Sequence, residues 1–335
     1  MRKKLKITVY SFLGLFVLCF LLIFYIFRPS ANLEEYSEFR IKNQSTKTSE
    51  KGQLKITYLG VATLLMDDGE TQILSDGFVS RPSLLKVGFG KIGSDTTLVK
   101  SVIADLRINR LKGIFTAHSH YDHAMDAPYF AKYTEALLYG SESTLNIGRG
   151  AGLSEDKLKL FEPGTVQQLG NFRITVLKSK HTPPLTFPKE DDTGKSIHGP
   201  LKQPASRKDF VEGGAYDLLI EHGSHKLYVK ASTNFSEHAL DSVRADILFL
   251  GVATLSKQDS TFQNDYYKNT VETLKPKILI PIHWDNFFKP LSEGLIPYPK
   301  LADDVKKDFD FLIGKTRGDG TAFRIMMAYD SFIIF

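Results

Sequence analysis

The chain has 335 residues, 42% of them apolar, one Cys, and 43 Lys+Arg against 38 Asp+Glu. It is too apolar for a disordered protein and long enough for one large domain or two ordinary ones, and a lone Cys19 excludes both a disulfide framework and a Cys-rich zinc module. Arg2, Lys3, Lys4, Lys6 and Arg28 carry the whole +5 excess, and the remainder balances at 38 of each sign, so the basic footprint of a nucleic-acid partner is missing.

From Thr8 to Phe27 no residue is charged, and Phe, Leu, Ile and Val dominate. Twenty residues at helical rise cover about 30 Å, the thickness of a bilayer core. A cleaved secretory signal has an apolar region of roughly 7–15 residues and a small-residue cleavage site. Here the run is longer, and Arg28-Pro29-Ser30-Ala31 is a poor site, so residues 1–30 are expected to be a retained single-pass anchor with Cys19 facing lipid. The basic cluster before the span predicts an N-terminus in the cytoplasm and a domain on the exocytoplasmic side. Residues 31–51 are polar and read as a linker, leaving 52–335 as the domain.

Leu54–Tyr58 alternates as a strand, and Ala62–Met66 with Thr71–Leu74 flank Asp67-Asp68-Gly69-Glu70 as a hairpin. Val99, Val102, Ile103, Leu106 and Ile108 predict a helix over Thr97–Leu111, followed by a short strand at Gly113–Thr116. Further strands are expected at Phe172–Leu177, Tyr216–Glu221, Lys226–Lys230, Asp246–Val252 and Ile278–Ile282, with a helix near Phe262–Leu274. Strands with interspersed helices and no internal linker predict one α/β layered domain. The Pro-rich stretch 183–213 is too long for a plain connection and is expected to cover a site.

The strongest local signal is Ile114-Phe115-Thr116-Ala117-His118-Ser119-His120-Tyr121-Asp122-His123. In extended chain, residues two apart face the same side, so His118 and His120 can aim two imidazoles at one ion. If the chain then turns, Asp122 and His123 can face a second position close by. Imidazole with carboxylate is a donor set for zinc or another borderline transition metal. His222 and His225 flank a hairpin tip and read as solvated; His198 and His238 read as surface residues. Gly148-Arg149-Gly150-Ala151-Gly152 lacks a preceding strand, which argues against a dinucleotide site and leaves Arg149 as an open anion contact.

The string His118-Ser119-His120-Tyr121-Asp122-His123 resembles the H-x-H-x-D-H signature of the metallo-β-lactamase-fold hydrolases. Ile280-Pro281-Ile282-His283-Trp284-Asp285 resembles the closing motif of the branch containing N-acyl-phosphatidylethanolamine phospholipase D and L-ascorbate-6-phosphate lactonase. The resemblance spans roughly residues 52–330 and implies an αββα four-layer sandwich. It implies that His118, His120 and His181 hold one metal and that Asp122, His123 and His283 hold another. It further implies that Asp76 orients a ligand. The metal-bridging acid of that family aligns with Ser232, and no acid follows until Glu237. The six implied ligands then carry one negative charge against four positive, so the His118/His120/His181 site is expected to be the tighter, the other leaning on substrate phosphate, hydroxide or Asn234.

The expected cofactor is Zn2+, one or two ions, with Mn2+ or Fe as alternatives. A divalent ion makes water nucleophilic near neutral pH and polarises the oxygen under attack, with Asp122 placed to orient that water. The resulting expectation is a membrane-held metal-dependent hydrolase, first a phospholipase D-like phosphodiesterase of a lipid or small molecule. A lactonase or other cyclic ester or amide hydrolase, and a non-catalytic metal-bound binding protein, are the alternatives.

Overall fold

The structure, a computed structural model, describes residues 2–44, 51–184 and 191–334. Helix α1 (Arg2–Phe27) includes Tyr10–Phe27, a stretch of mean hydropathy 2.5 with no part buried against the protein. Among the described residues it is the one helix long and apolar enough to cross a membrane.

Two seven-stranded sheets follow. The first contains β1 (Leu54–Tyr58), β2 (Leu64–Asp67), β3 (Gln72–Ser75), β4 (Leu111–Phe115), β5 (Leu137–Gly140) and β6 (Leu158–Leu160). The second contains β7 (Val166–Leu169), β8 (Phe172–Lys178), β9 (Tyr216–His222), β10 (His225–Lys230), β11 (Ile247–Gly251), β12 (Ile278–Ile282) and β13 (Ala322–Phe323). The last strand, β14 (Ser331–Ile334), returns to the first sheet, giving the orders β14-β1-β2-β3-β4-β5-β6 and β13-β12-β11-β10-β9-β8-β7. Strands of both sheets feed one contiguous apolar core that includes Ile56, Leu74, Ile114, Ile174, Leu227 and Phe249. The all-apolar β11 and β12 run parallel and are buried on both faces, whereas β8 alternates buried and exposed residues with one face outward.

The helices are α2 (Leu84–Phe89), α3 (Thr96–Asp105), α4 (Tyr121–Ala124), α5 (Ala127–Tyr133), α6 (Glu142–Gly150), α7 (Ser260–Tyr267) and α8 (Val305–Asp319). Two sequence expectations shift. The helix expected over Thr97–Leu111 stops at Asp105, because Arg107 takes a left-handed φ of 53° and Leu111 already belongs to β4. The helix expected near Phe262–Leu274 is α7 continued by a π-helical turn, Lys268–Glu272.

Residues 31–44 do not behave as the expected linker; residues 45–50 lie outside the described residues. Pro29 pairs with Pro299, Ser30 donates its N–H to the Tyr298 carbonyl at 2.9 Å, and the Ser30 hydroxyl accepts the Val305 N–H at 3.0 Å. A 3-10 turn, Leu33–Phe39, then buries Tyr36 edge-on to Phe309, its hydroxyl 2.8 Å from Asp310 Oδ1. The polar composition hid apolar contacts to the domain, Tyr36 the most buried of them, with Leu33, Phe39 and Ile41 packed beside it; burying the Tyr36 ring is worth roughly 1.5–3 kcal/mol.

Candidate metal centre

The candidate residues sit where strands end: Asp76 after β3, His118–His123 after β4, His181 after β8, Ser232 and Asn234 after β10, and His283 after β12. Carboxyl ends of strands are where α/β folds gather ligands. β4 ends at Phe115 and the chain bends through Ala117–His120, which brings the rings of His118 and His120 together with centroids 4.8 Å apart. The chain then turns into α4, whose first N–H bonds from His123 and Ala124 return to the His120 carbonyl. That change of period swings Asp122 and His123 to a second position.

Two clusters result. In the first, the rings of His118, His120 and His181 have centroids 4.7–4.8 Å apart, and each residue offers one nitrogen within 4.8 Å of the others. In the second, Asp122 Oδ2 lies 3.4 Å from His123 Nε2 and 3.2 Å from His283 Nε2, and the two nitrogens are 3.2 Å apart. His118 and His123, one from each cluster, approach to 3.9 Å between ring centroids.

Supports outside the clusters fix these rings. His123 Nδ1 donates to Asp76 Oδ2 at 2.7 Å, and Asp76 Oδ1 accepts the Ala117 N–H at 2.8 Å. The Tyr298 hydroxyl is 3.3 Å from His283 Nδ1. His283 has a left-handed φ of 61°, a conformation costing an L-residue about 1–2 kcal/mol. It is held there by its N–H on the Val61 carbonyl at 2.7 Å. Asp285 in turn accepts the Val61 N–H at 2.8 Å and pairs with Arg81 at 2.7 Å, an ion pair with no exposed side-chain surface.

Burial, reinforced by neighbouring imidazoles, holds His118 well below the usual histidine range and His181 down to about 3. Burial pushes Asp122 up, but His123 and His283 outweigh it and hold the carboxyl below its ordinary value. For His123, burial is overcome by Asp76 and Asp122, which raise it. At neutral pH His118 and His181 therefore present neutral imidazoles and Asp122 an ionised carboxylate. Both ring nitrogens of His118 are buried without a hydrogen-bond partner. Orphaned buried polar atoms of this kind are rare and call for an explanation, and a cation bound by the cluster supplies one. The residues present fit one or two divalent transition metals, with Zn2+, Mn2+ and Fe all compatible with these donors.

Other sequence candidates are placed differently. Ser232 is buried and offers no carboxylate, and the Asn234 amide is committed to the His181 carbonyl at 2.6 Å, so Asn234 braces the His181 loop. His222, expected to be solvated, is buried against Phe172 with Nε2 3.2 Å from Asp68 Oδ2, because its side chain turns in under the β2–β3 turn. His225 is half-buried, while His198 and His238 are exposed. Arg149 is not an anion contact: α6 carries it, and Glu142 and Glu155 take its guanidinium. Gly150 is needed for a close approach, since a Cβ there would stand 1.8 Å from the Leu201 carbonyl oxygen.

The sequence reading missed Asp192 and Tyr298. Asp192 Oδ2 lies 2.8 Å from His120 Nε2. Neither residue belongs to a periodic pattern or motif; both stand in Pro-rich loops. Both line a cavity of about 580 Å³ over the two clusters. Much of its wall is the 183–213 stretch, of which 185–190 lie outside the described residues: Pro183, Pro184, Lys195, Arg207, Lys208 and Phe210. That stretch is tied to the signature by Ser119, whose N–H reaches the Glu212 carbonyl at 2.9 Å. Gly213, at φ 66°, passes so close that a Cβ would lie 2.3 Å from the Ser119 hydroxyl.

The fold recurs in solved structures. The metallo hydrolase Igni18 of Ignicoccus hospitalis matches with a TM-score of 0.51 at 14% identity, covering 84% of this chain and 99% of that one. The metallo-β-lactamase fold protein YhfI of Bacillus subtilis matches at 0.51 and 16%, covering 84% and 100%. The chain has the metallo-β-lactamase fold. CmlA of Streptomyces venezuelae, a diiron β-hydroxylase, shares it at a TM-score of 0.50 and 14% identity over 86% of this chain and 55% of that one, so the fold alone fixes neither reaction nor metal. No protein-family model matches. Among sequence relatives, a UPF0173 metal-dependent hydrolase of Polynucleobacter asymbioticus is 22% identical over 190 residues, 55% of this chain and 60% of that protein's length. Another of that name, from Roseiflexus castenholzii, is 25% identical over 191 residues, 56% of this chain and 69% of that one. The chain thus shares its fold with metallo hydrolases and is similar in sequence to proteins named metal-dependent hydrolases.

Proposed function

We propose that this protein is a membrane-tethered hydrolase of phosphodiesters carrying an apolar portion, with His118, His120 and His181 holding one divalent metal and Asp122, His123 and His283 the other. The observation that carries the reading is the cavity. His120 and His181 of one cluster and Asp122 and His283 of the other line it, Lys195, Arg207 and Lys208 contribute cationic groups, and Pro183, Pro184, Phe210, Phe287 and Tyr298 contribute apolar ones. Cations suit an anionic diester, and the apolar residues suit a lipid or similar amphiphile. A bound divalent metal would supply electrophilic polarisation of the phosphoryl oxygen and make water nucleophilic at neutral pH. Asp122, ionised and within 3.4 Å of both imidazoles of the second cluster, would orient that water and take up its proton. Asp76 and Tyr298 hold the rings of His123 and His283.

The membrane part of the reading rests on two features. The apolar stretch Tyr10–Phe27 ends three residues before the Ser30–Tyr298 contact, so its end is fastened to a cavity residue, and the basic cluster Arg2, Lys3, Lys4 and Lys6 precedes it, which favours an exocytoplasmic domain. On α2, Val87 is buried among Phe78 and Phe210, while Leu85 and Phe89 are 74% and 91% exposed. An apolar surface beside the cavity suits a lipid interface.

The test uses the metal-loaded full chain in detergent or nanodiscs with bis-p-nitrophenyl phosphate, a lactone and nitrocefin, each with and without chelator. Chelator-sensitive release from the diester alone supports the proposal. Turnover of the lactone alone replaces it with a lactonase, and silence on all three replaces it with a non-catalytic binding protein.

A further inference from the structure

We infer that Asp192, a residue of the cavity-covering stretch, is a positioning residue for the first metal: it fixes His120 as the Nε2–H tautomer and so turns Nδ1 toward the cation. The inference rests on the metal reading of the His118/His120/His181 cluster and goes beyond it.

Asp192 Oδ2 and His120 Nε2 are 2.8 Å apart. An ionised carboxylate can only accept, so the imidazole nitrogen facing it must carry the proton, and a neutral ring then keeps its lone pair on Nδ1. The arrangement mirrors the other cluster with the nitrogens exchanged. There Asp76 accepts from His123 Nδ1 at 2.7 Å and leaves Nε2 turned to Asp122 and His283. Each cluster thus has one histidine whose outward nitrogen is held by a carboxylate, the arrangement that orients a metal-binding imidazole and raises its basicity.

The charge of the two clusters points the same way. With Ser232 and no acid directly after β10, the two clusters carry one carboxylate, Asp122. Asp76 and Asp192 each add a negative charge one bond outward, and Asp192 places its charge on the cluster that otherwise has none. Asp192 is itself located by the covering stretch: its Oδ2 accepts the Glu212 N–H at 3.1 Å, Glu212 Oε2 accepts the Gly194 N–H at 2.7 Å, and the Lys195 carbonyl accepts the Gly213 N–H at 3.0 Å. The arrangement of residues 192–213 and occupancy of the first metal are therefore linked, each favouring the other.

The experiment titrates Co2+ and Zn2+ into the metal-free full chain in detergent and reads the Co2+ visible spectrum. The proteins are the wild type, Asp192→Ala, Asp192→Asn, Asp192→Glu, His120→Ala and the double variant His120→Ala/Asp192→Ala. Circular dichroism and thermal melting of each metal-free protein monitor the fold. Asp192→Ala is expected to weaken the first ion by roughly 10–100-fold, to change its spectrum, and to leave the second ion in place. Asp192→Glu restores part of the affinity. In the His120→Ala background the Asp192 change has no further effect, because the two residues act as one unit. Metal loading also slows tryptic cleavage at Lys195 in the wild type, and less so in Asp192→Ala. Wild-type affinity and spectrum in a folded Asp192→Ala, or additive losses in the double variant, overturn the inference while leaving the metal reading intact. A wild type that binds no metal overturns both.

Discussion

Asp76 Oδ2 stands 2.7 Å from His123 Nδ1, and the other oxygen of the same carboxylate accepts the Ala117 N–H at 2.8 Å. One side chain thereby fixes both the tautomer of a ligand histidine and the backbone that leads into the signature. Asp76→Ala is expected to weaken metal binding at the Asp122/His123/His283 cluster by roughly 10–100-fold. Asp76→Asn, which keeps an oxygen for Ala117, should retain the fold. Calorimetric titration with Zn2+ checks this, and unchanged affinity in Asp76→Ala would remove the role.

His120 contributes one of the three rings of the first cluster, 4.7–4.8 Å from the other two. His120→Ala is expected to abolish both retention of that metal after dialysis and chelator-sensitive hydrolysis, as read by elemental analysis beside the diester assay. A variant that keeps the full rate would dissolve the assignment of this cluster to the chemistry.

The Arg81–Asp285 pair lies beneath His283 with no exposed side-chain surface. Removing one partner strands a buried charge, so Asp285→Ala should cost about 3–5 kcal/mol by denaturant unfolding. The loss should also release the strained φ at His283, weakening the second metal. A cost under about 1 kcal/mol would show that the pair is not what holds this turn.

Asp308 of α8 is buried beside Asp303 and Asp304, the latter with Lys300 Nζ at 3.4 Å; burial, then Asp303, raises its pKa well above the ordinary value. The folded state therefore keeps a proton that the unfolded chain releases above about pH 4. The sign is a stability that is fully present below pH 4 and falls as pH rises towards the folded pKa. Asp308→Asn should flatten that slope, so its melting temperature gains on the wild type between pH 5 and pH 8. Parallel pH profiles for the two proteins would contradict this.

What the sequence determined on its own was local and periodic. His118 and His120 stand two apart, the spacing that in extended chain faces one side, and β11 and β12 announce themselves as apolar runs because both faces are covered. The strong H-x-H-x-D-H spacing belongs to one continuous stretch and needs no fold to be seen. Tertiary structure decided whatever depends on distant segments meeting. It brought His181 and His283 to the signature, and it turned Asn234 to the His181 carbonyl. Residues 31–44 came to rest on the domain through Tyr36, and His222 turned inward to Asp68. Asp192 reached His120 across 72 positions of sequence. Such contacts leave no period behind, because a carboxylate in an irregular loop acquires its partner only when two sheets pack and their strand ends converge on one cavity.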